Sequence, residues 1–177
     1  MKLLISAIFA LVLTGNQWSF MADASNSIMD IHGTSSVHDW TSHVEKFTVA
    51  GVINDNSITG LEVVVNTQSI KSGKSIMDDK TYEALGAKTH PTIKFTASTL
   101  PIQNGTIKGT GQLTLAGVTK PIPLQAATST MTDGSLKVTG KVNVNMAEFG
   151  IEPPTAMFGT LTTGAEVTIE YQLLLNK

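Results

Sequence analysis

The stretch IKGTGQLTL, residues 107–115, alternates apolar or small residues with polar ones at every second position. Successive side chains of a β-strand point to opposite faces, so this pattern places one face against a core and the other in water. The turn signal QNG at residues 103–105 precedes it, and the regular stretch IKFTAS at residues 93–98 comes before that turn. Together they predict a β-hairpin.

The same alternation continues on both sides of this hairpin. Six further strands are predicted, at residues 28–33, 47–53, 58–65, 122–126, 136–144 and 165–173. Eight antiparallel strands can close into a barrel, which leaves no exposed edge and can hold one small ligand. The predicted fold class is therefore all-β, an eight-stranded antiparallel barrel.

Two stretches interrupt the alternation. Residues 69–90 carry Ile76, Tyr82 and Leu85 among charged residues with helix-like spacing, which predicts one or two short helices. Residues 146–161 contain two adjacent prolines, so they are predicted to form a crossing loop and not a regular strand. Long connections in a compact domain are usually functional, so we expect the two segments to form a movable cover at one mouth of the barrel.

Composition excludes several classes of protein. The 177 residues suit one domain, and the absence of cysteine excludes disulfides, thiolate nucleophiles and Cys-ligated metal sites. Twelve basic residues, none of them Arg, stand against fourteen acidic ones and give a net charge of -2. The basic patch that nucleic acid requires is missing, so nucleic acid is not predicted as a partner.

The N-terminus has the features of a secretory signal peptide. Lys2 precedes an apolar run over residues 3–13, and the pattern Ala22-Asp23-Ala24 suits cleavage. We therefore predict a signal peptide at residues 1–24 and a single domain at 25–177, periplasmic or secreted. The apolar run is shorter than the roughly 20 residues that span a bilayer, so no stable membrane insertion is expected after its removal.

No catalytic constellation is evident. The four histidines form no close metal-ligand motif, although Asp39 lies beside His38 and His43 is near. Gly109-Thr110-Gly111 lies inside a strand with no helix after it, which does not suit a nucleotide loop. The sequence thus predicts no enzyme, no metal and no cofactor. A metal-assisted periplasmic enzyme built on His38, Asp39 and His43 stays open as an alternative.

The predicted binding site is the apolar face of the strands, which would line the barrel interior. Small inward residues would leave space there for a ligand; they are Gly51, Gly109, Gly111 and Gly140. A second alternative is a ligand-free interaction barrel whose interior is filled by side chains. The predicted lipid-binding residues are Phe47, Val49, Leu61, Val63, Ile93, Phe95, Leu113, Leu115, Leu136, Val138, Val142, Val167, Ile169 and Tyr171.

Several blocks in a fixed order resemble the YceI-like, polyisoprenoid-binding family. The more specific pair is P-x-I-x-F and G-x-L-T-x-x-G-x-T-K-P, and the match spans nearly all of the predicted mature chain. The blocks are SVHDW at 36–40, SIKS at 69–72 continuing to Met77-Asp78, HPTIKF at 90–95, GQLTLAGVTKPI at 111–122 and EFGI at 148–151.

The resemblance implies a secreted or periplasmic lipocalin-like barrel with short helices in its connections. It also implies a long apolar ligand, such as a polyprenyl chain, an isoprenoid quinone or a fatty-acyl derivative, held for transport, storage or sequestration. An Arg often precedes the Phe-Gly unit in the family, but Glu148 precedes Phe149-Gly150 here, so no Arg-bound head group is carried over. A homodimer is left open.

Overall fold

The computed structural model describes residues 17–176, so most of the predicted signal peptide lies outside the described residues. The described chain forms twelve strands and one α-helix, α1, at Ser75–Ala84. Three short 3-10 turns lie at Thr67–Ser69, Met146–Phe149 and Met157–Gly159. The strands are β1 Trp18–Asp23, β2 Ile28–Ser35, β3 Trp40–Val44, β4 Phe47–Asn54, β5 Ser57–Asn66, β6 Ile70–Lys71, β7 Thr92–Gln103, β8 Thr106–Leu115, β9 Val118–Thr130, β10 Leu136–Asn145, β11 Thr155–Ala156 and β12 Leu161–Leu175.

All strand pairs are antiparallel, and one strongly curled sheet contains nearly all of them. Eleven strands follow the order β1-β4-β5-β7-β8-β9-β10-β12-β2-β3-β6, and β11 pairs with β12 beside this path. The path ends at β1 and β6, so within residues 17–176 the ladder does not close as a continuous ring. A single bridge between Met21 and Asn176 brings the β1 edge to the end of β12.

The predicted count of eight strands is wrong, although every one of the eight predicted strands is present. The additional strands are β1, β3, β6 and β11. β6 and β11 have two residues each, too few to show alternation, and they exist because a neighbouring strand offers them hydrogen bonds. β1 falls within the predicted signal peptide, and β3 contains a residue of the candidate metal site.

The two ends of the curled sheet differ. One end carries tight turns between strands, at residues 54–57, 103–106 and 130–136. Leu100 and Leu175 lie at this end and are at most 2% exposed. The long connections, which include α1 and residues 146–160, lie at the other end. The interior is therefore sealed at the turn end, and access is through the end that carries α1. No helix of residues 17–176 has the length and apolar character needed to span a bilayer.

The expectation that the inward glycines leave space for a ligand is wrong. Large side chains of neighbouring residues lie over them, and a Cβ added to Gly111 would meet the ring of Phe95. This packing of a large side chain over glycine lets a strongly curved sheet keep a filled wall. In the same way, Phe20 lies over Gly51, Leu100 over Gly109 and Tyr171 over Gly140.

We expect Gly111→Ala to destabilise the fold more than Gly109→Ala. The new Cβ at residue 111 would lie 2.7 Å from the backbone oxygen of Thr96 as well as against the Phe95 ring, and backbone cannot easily move. At residue 109 it meets a terminal methyl of Leu100, which can rotate. Overpacking of this kind costs about 1–3 kcal/mol. Urea unfolding of both variants measures the difference, and equal losses would contradict the argument.

Candidate ligand cavity

A cavity of about 440 Å³ lies inside the curled sheet. Most of its lining side chains are aliphatic or aromatic, and it reaches from α1 to the sealed end at Leu100 and Leu175. At the α1 end the lining includes Val37, which is 65% exposed, and Ile76, which is 77% exposed. These exposed residues mark the mouth. A pocket of this size and lining suits an apolar ligand.

The structure brings together twelve of the fourteen predicted lipid-binding residues at the cavity wall. Val63 and Leu113 are only half-buried, because their inward side chains face the cavity. Phe47 and Leu136 do not line the cavity; both pack against the core cluster beside it. The twelve lining residues are Val49, Leu61, Val63, Ile93, Phe95, Leu113, Leu115, Val138, Val142, Val167, Ile169 and Tyr171.

Sequence reasoning missed lining residues on the predicted strands, such as Ile58, Ile107 and Leu173, and also those that do not lie on alternating strands. α1 contributes Met77, Thr81 and Ala84, whose helical spacing of three and four residues is the signal that could have found them. The turn between β2 and β3 contributes Val37 and His38 at the mouth. The sequence of that turn has no periodic pattern. Its position at the mouth follows only from the pairing of the strands on either side of it.

The 146–161 connection has two different halves. Met146, Phe149 and Ile151 are buried in a second apolar cluster, with Phe149 only 1% exposed, so the first half forms a packed wall near the mouth. The second half exposes the whole side chain of Phe158, which has a left-handed backbone φ of 57°. The placement of this segment at the mouth fits the predicted cover, while its movement stays a prediction.

The helix α1 is attached to the sheet through a polar cluster. The backbone N–H and the hydroxyl of Ser72 each donate to Asp78 Oδ1 at 2.7 Å, and the Lys71 ammonium lies 3.7 Å from Asp78 Oδ2. The Tyr82 hydroxyl accepts from Lys71 Nζ at 2.6 Å and donates toward the carbonyl of Ile70 at 3.0 Å. The cluster attaches the first and last turns of α1 to β6 and to Ser72, which follows β6.

Ionisation of Asp78 strengthens this attachment. Burial opposes the charge, but the Ser72 hydrogen bonds and the Lys71 ammonium outweigh it, so the pKa of Asp78 lies below its ordinary value. A lowered pKa gives stability that is present above the ordinary pKa of aspartate and is lost as the pH falls through the pKa of the folded state. The attachment of α1 through Asp78 should therefore weaken as the pH falls through the lowered pKa of Asp78.

We expect Asp78→Ala to raise the amide hydrogen-exchange rates of α1 by at least about tenfold near neutral pH. Hydrogen bonds to a charged group contribute roughly 1.5–3 kcal/mol, which corresponds to tenfold or more. Asp79→Ala is the matched control, since Asp79 has the same charge on the same helix but is exposed. Equal exchange in the two variants would show that the cluster does not fix α1.

The residues of the alternative metal site are not gathered at one point. His43 Nδ1 lies 2.7 Å from Asp30 Oδ1, with its side chain 69% exposed on the outer face of β3. His38 lies at the cavity mouth, where its Nδ1 is 2.8 Å from the backbone oxygen of Asp39. Within residues 17–176 no group of three or more His, Asp or Glu side chains could hold a metal ion.

Comparisons with known proteins agree with this architecture. The model of the YceI-like domain family matches residues 18–175, a range that begins with β1. BcnA of Burkholderia cenocepacia has a TM-score of 0.70 at 15% identity, over 88% of this chain and 99% of that chain. A polyisoprenoid binding domain from Saccharophagus degradans has a TM-score of 0.67 at 13% identity, over 91% and 99%.

The YCEI protein of Campylobacter jejuni is similar over a smaller part. Its TM-score is 0.53 at 23% identity, over 68% of this chain and 74% of that chain. No curated protein matches the sequence. At such identities the three structures show that the fold is shared.

Proposed function

Because the chain belongs to the family of YceI-like domains, we propose that it binds a long-chain isoprenoid or other amphiphilic lipid inside its curled sheet. The name of the Saccharophagus relative, a polyisoprenoid binding domain, supports this ligand class. The ligand is a polyprenyl chain, a quinone or a fatty-acid-like molecule. Its binding serves transport, storage or sequestration in the periplasm or outside the cell.

The observation that carries the proposal is the apolar cavity. A ligand-free barrel would fill its interior with side chains, whereas here about 440 Å³ stays open among residues such as Val63 and Leu113. Each buried methylene is worth about 0.8 kcal/mol, so a twenty-carbon tail offers roughly 16 kcal/mol before the costs of ordering it. Burial of the tail can therefore drive binding without a polar contact.

Native mass spectrometry of protein purified without detergent tests the proposal. We expect a co-purifying lipid, and its mass after organic extraction identifies the class. Delipidated protein should regain this lipid from vesicles that contain it. If neither the purified nor the reloaded protein carries lipid, the proposed function is wrong.

A further inference from the structure

Three large apolar side chains are exposed around the mouth of the cavity, and each comes from a different connection. Val37 of the β2–β3 turn is 65% exposed, Ile76 of α1 is 77% exposed, and Phe158, in the connection that leads to β12, is fully exposed. Val37 and Ile76 also line the cavity, and Phe158 lies between the lining residues Thr155 and Leu161. Exposed apolar side chains gathered at one place mark a protein or membrane contact.

The backbone at Phe158 is strained. Its φ is 57°, in the left-handed region, which a bulky residue other than glycine rarely adopts. Gly159 follows with a φ of 87°, so two consecutive residues have positive φ. The ring is fully exposed and therefore adds no burial that would offset the strain. A strained residue that the fold itself does not explain indicates a functional contact.

Polar side chains lie beside these apolar tips. Ser35 and His38 of the β2–β3 turn, Thr81 of α1 and Thr162 of β12 line the cavity at the same end. They bring hydroxyl and imidazole groups, which can hydrogen-bond to phosphate and ester oxygens. Apolar tips accompanied by polar groups suit the boundary of a bilayer, where the tips reach the acyl chains and the polar groups meet the head groups.

The charges at the mouth do not suit an anionic surface. Over the segments 35–40, 69–90 and 146–161, four lysines stand against six acidic residues. Lys80, which lines the cavity, lies 3.1 Å from the Glu83 carboxylate. The basic cluster that anionic lipids attract is therefore missing. Charges of both signs without a basic excess complement zwitterionic head groups, which carry one charge of each sign.

The proposed ligand indicates what the tips contact. Each methylene that a tail exposes to water lowers its equilibrium concentration there about fourfold, so a long-chain lipid stays in a bilayer until a protein collects it. Val37 and Ile76 belong both to the exposed surface and to the cavity lining. A tail can therefore pass from a bilayer into the cavity along these side chains without crossing a layer of water.

We propose that the mouth end docks onto a zwitterionic lipid bilayer, with Val37, Ile76 and Phe158 inserted among the acyl chains, and that the lipid passes directly between bilayer and cavity. This inference rests on the proposed lipid binding and adds its partner, the membrane surface that supplies or receives the ligand. The docking is reversible, because three side chains bury far less apolar surface than a spanning helix.

Sedimentation with phosphatidylcholine vesicles tests the docking. We expect the parent protein to bind, with an affinity that added salt does not weaken and that phosphatidylglycerol in the vesicles does not raise. Phe158→Ser should lower the affinity about 10–100-fold, because one large apolar side chain is no longer buried. Met131→Ser is the matched control, since Met131 is 42% exposed in the turn at the sealed end and should leave the affinity unchanged.

Transfer of a fluorescent fatty acid from these vesicles to delipidated protein tests the direct passage. A docking protein collects lipid at a rate that rises with vesicle concentration, whereas passage through water has a rate set by escape of the lipid from the bilayer. Phe158→Ser should slow the transfer by about the same 10–100-fold. The final amount of bound lipid should not change, because Phe158 does not line the cavity. Met131→Ser should match the parent protein in both respects.

Three results would each overturn the docking: no binding of the parent protein to phosphatidylcholine vesicles, equal binding of Phe158→Ser and Met131→Ser, or a transfer rate independent of vesicle concentration. Binding that requires phosphatidylglycerol and is lost in salt would also contradict it. If the protein still takes up the fatty acid in these cases, the proposed function stands. If it takes up no lipid at any vesicle concentration, the proposed function fails, and the direct passage fails with it.

Discussion

The Val63→Trp protein is expected to fold and to lose its lipid. Val63 lines the cavity on β5 opposite Phe95 of β7, so an indole ring at this position would occupy the space that a tail needs. Displacing four methylenes removes about 3 kcal/mol of binding, a loss of affinity of more than about 100-fold. Leu113→Trp makes the same test from β8. Lipid content by mass spectrometry and affinity for a fluorescent fatty acid are the measurements.

The adjacent outward residues are the matched controls. Glu62 and Gln112 are exposed on the other face of β5 and β8, so tryptophan there should leave the lipid content unchanged. Overpacking at the inward positions costs roughly 1–3 kcal/mol, so folding is checked separately by circular dichroism and urea unfolding. A folded Val63→Trp protein with undiminished lipid would show that the cavity or its face is assigned wrongly. Failure of only the inward variants to fold would favour the filled, ligand-free barrel.

The second large effect is expected at β1. Phe20 is 4% exposed and packs over Gly51 of β4, where it fills the space left by the missing side chain. Phe20→Ala should therefore lower the free energy of unfolding by about 3–5 kcal/mol, as expected for a buried phenylalanine. Met21→Ala is the control on the same strand, because Met21 is 68% exposed and should change stability by no more than about 0.5 kcal/mol.

This strand bears on the predicted signal peptide. A mature chain that begins at Ser25 has no β1 and leaves an edge of β4 unpaired, whereas a chain that begins at Gln17 retains the strand. We expect protein starting at Ser25 to be at least as destabilised as Phe20→Ala. Chemical unfolding of the two forms measures the difference, and N-terminal sequencing of exported protein shows which one the cell makes. Equal stability of the two forms would mean that β1 contributes little.

Local alternation made much of the cavity predictable. Val63 and Leu113 stand at inward positions of regular strands, and the parity of a strand fixes the face of every residue once one is assigned. The same parity says nothing about position along the barrel axis or about what covers a residue. Phe47 and Leu136 stand at inward positions, yet their side chains pack against core residues and do not line the cavity.

The two-residue strands and the N-terminal strand were less predictable from the sequence. β6 and β11 depend on hydrogen bonds from distant residues, such as Val44 for Ile70, and a two-residue stretch carries no pattern of its own. β1 has a regular pattern, but the A-x-A motif at its end predicts signal cleavage equally well. Only pairing with β4 and the burial of Phe20 against Gly51 show it as part of the sheet.

The sequence by itself determined the all-β class, the inward face of the main strands and the positions of the two long connections, because these follow from side-chain period and turn chemistry along the chain. The tertiary structure alone decided that the sheet curls without a continuous closing ladder, that one end is sealed, and that Val37, Ile76 and Phe158 lie exposed at the other. Those features depend on contacts between residues far apart in sequence, and no local period encodes them.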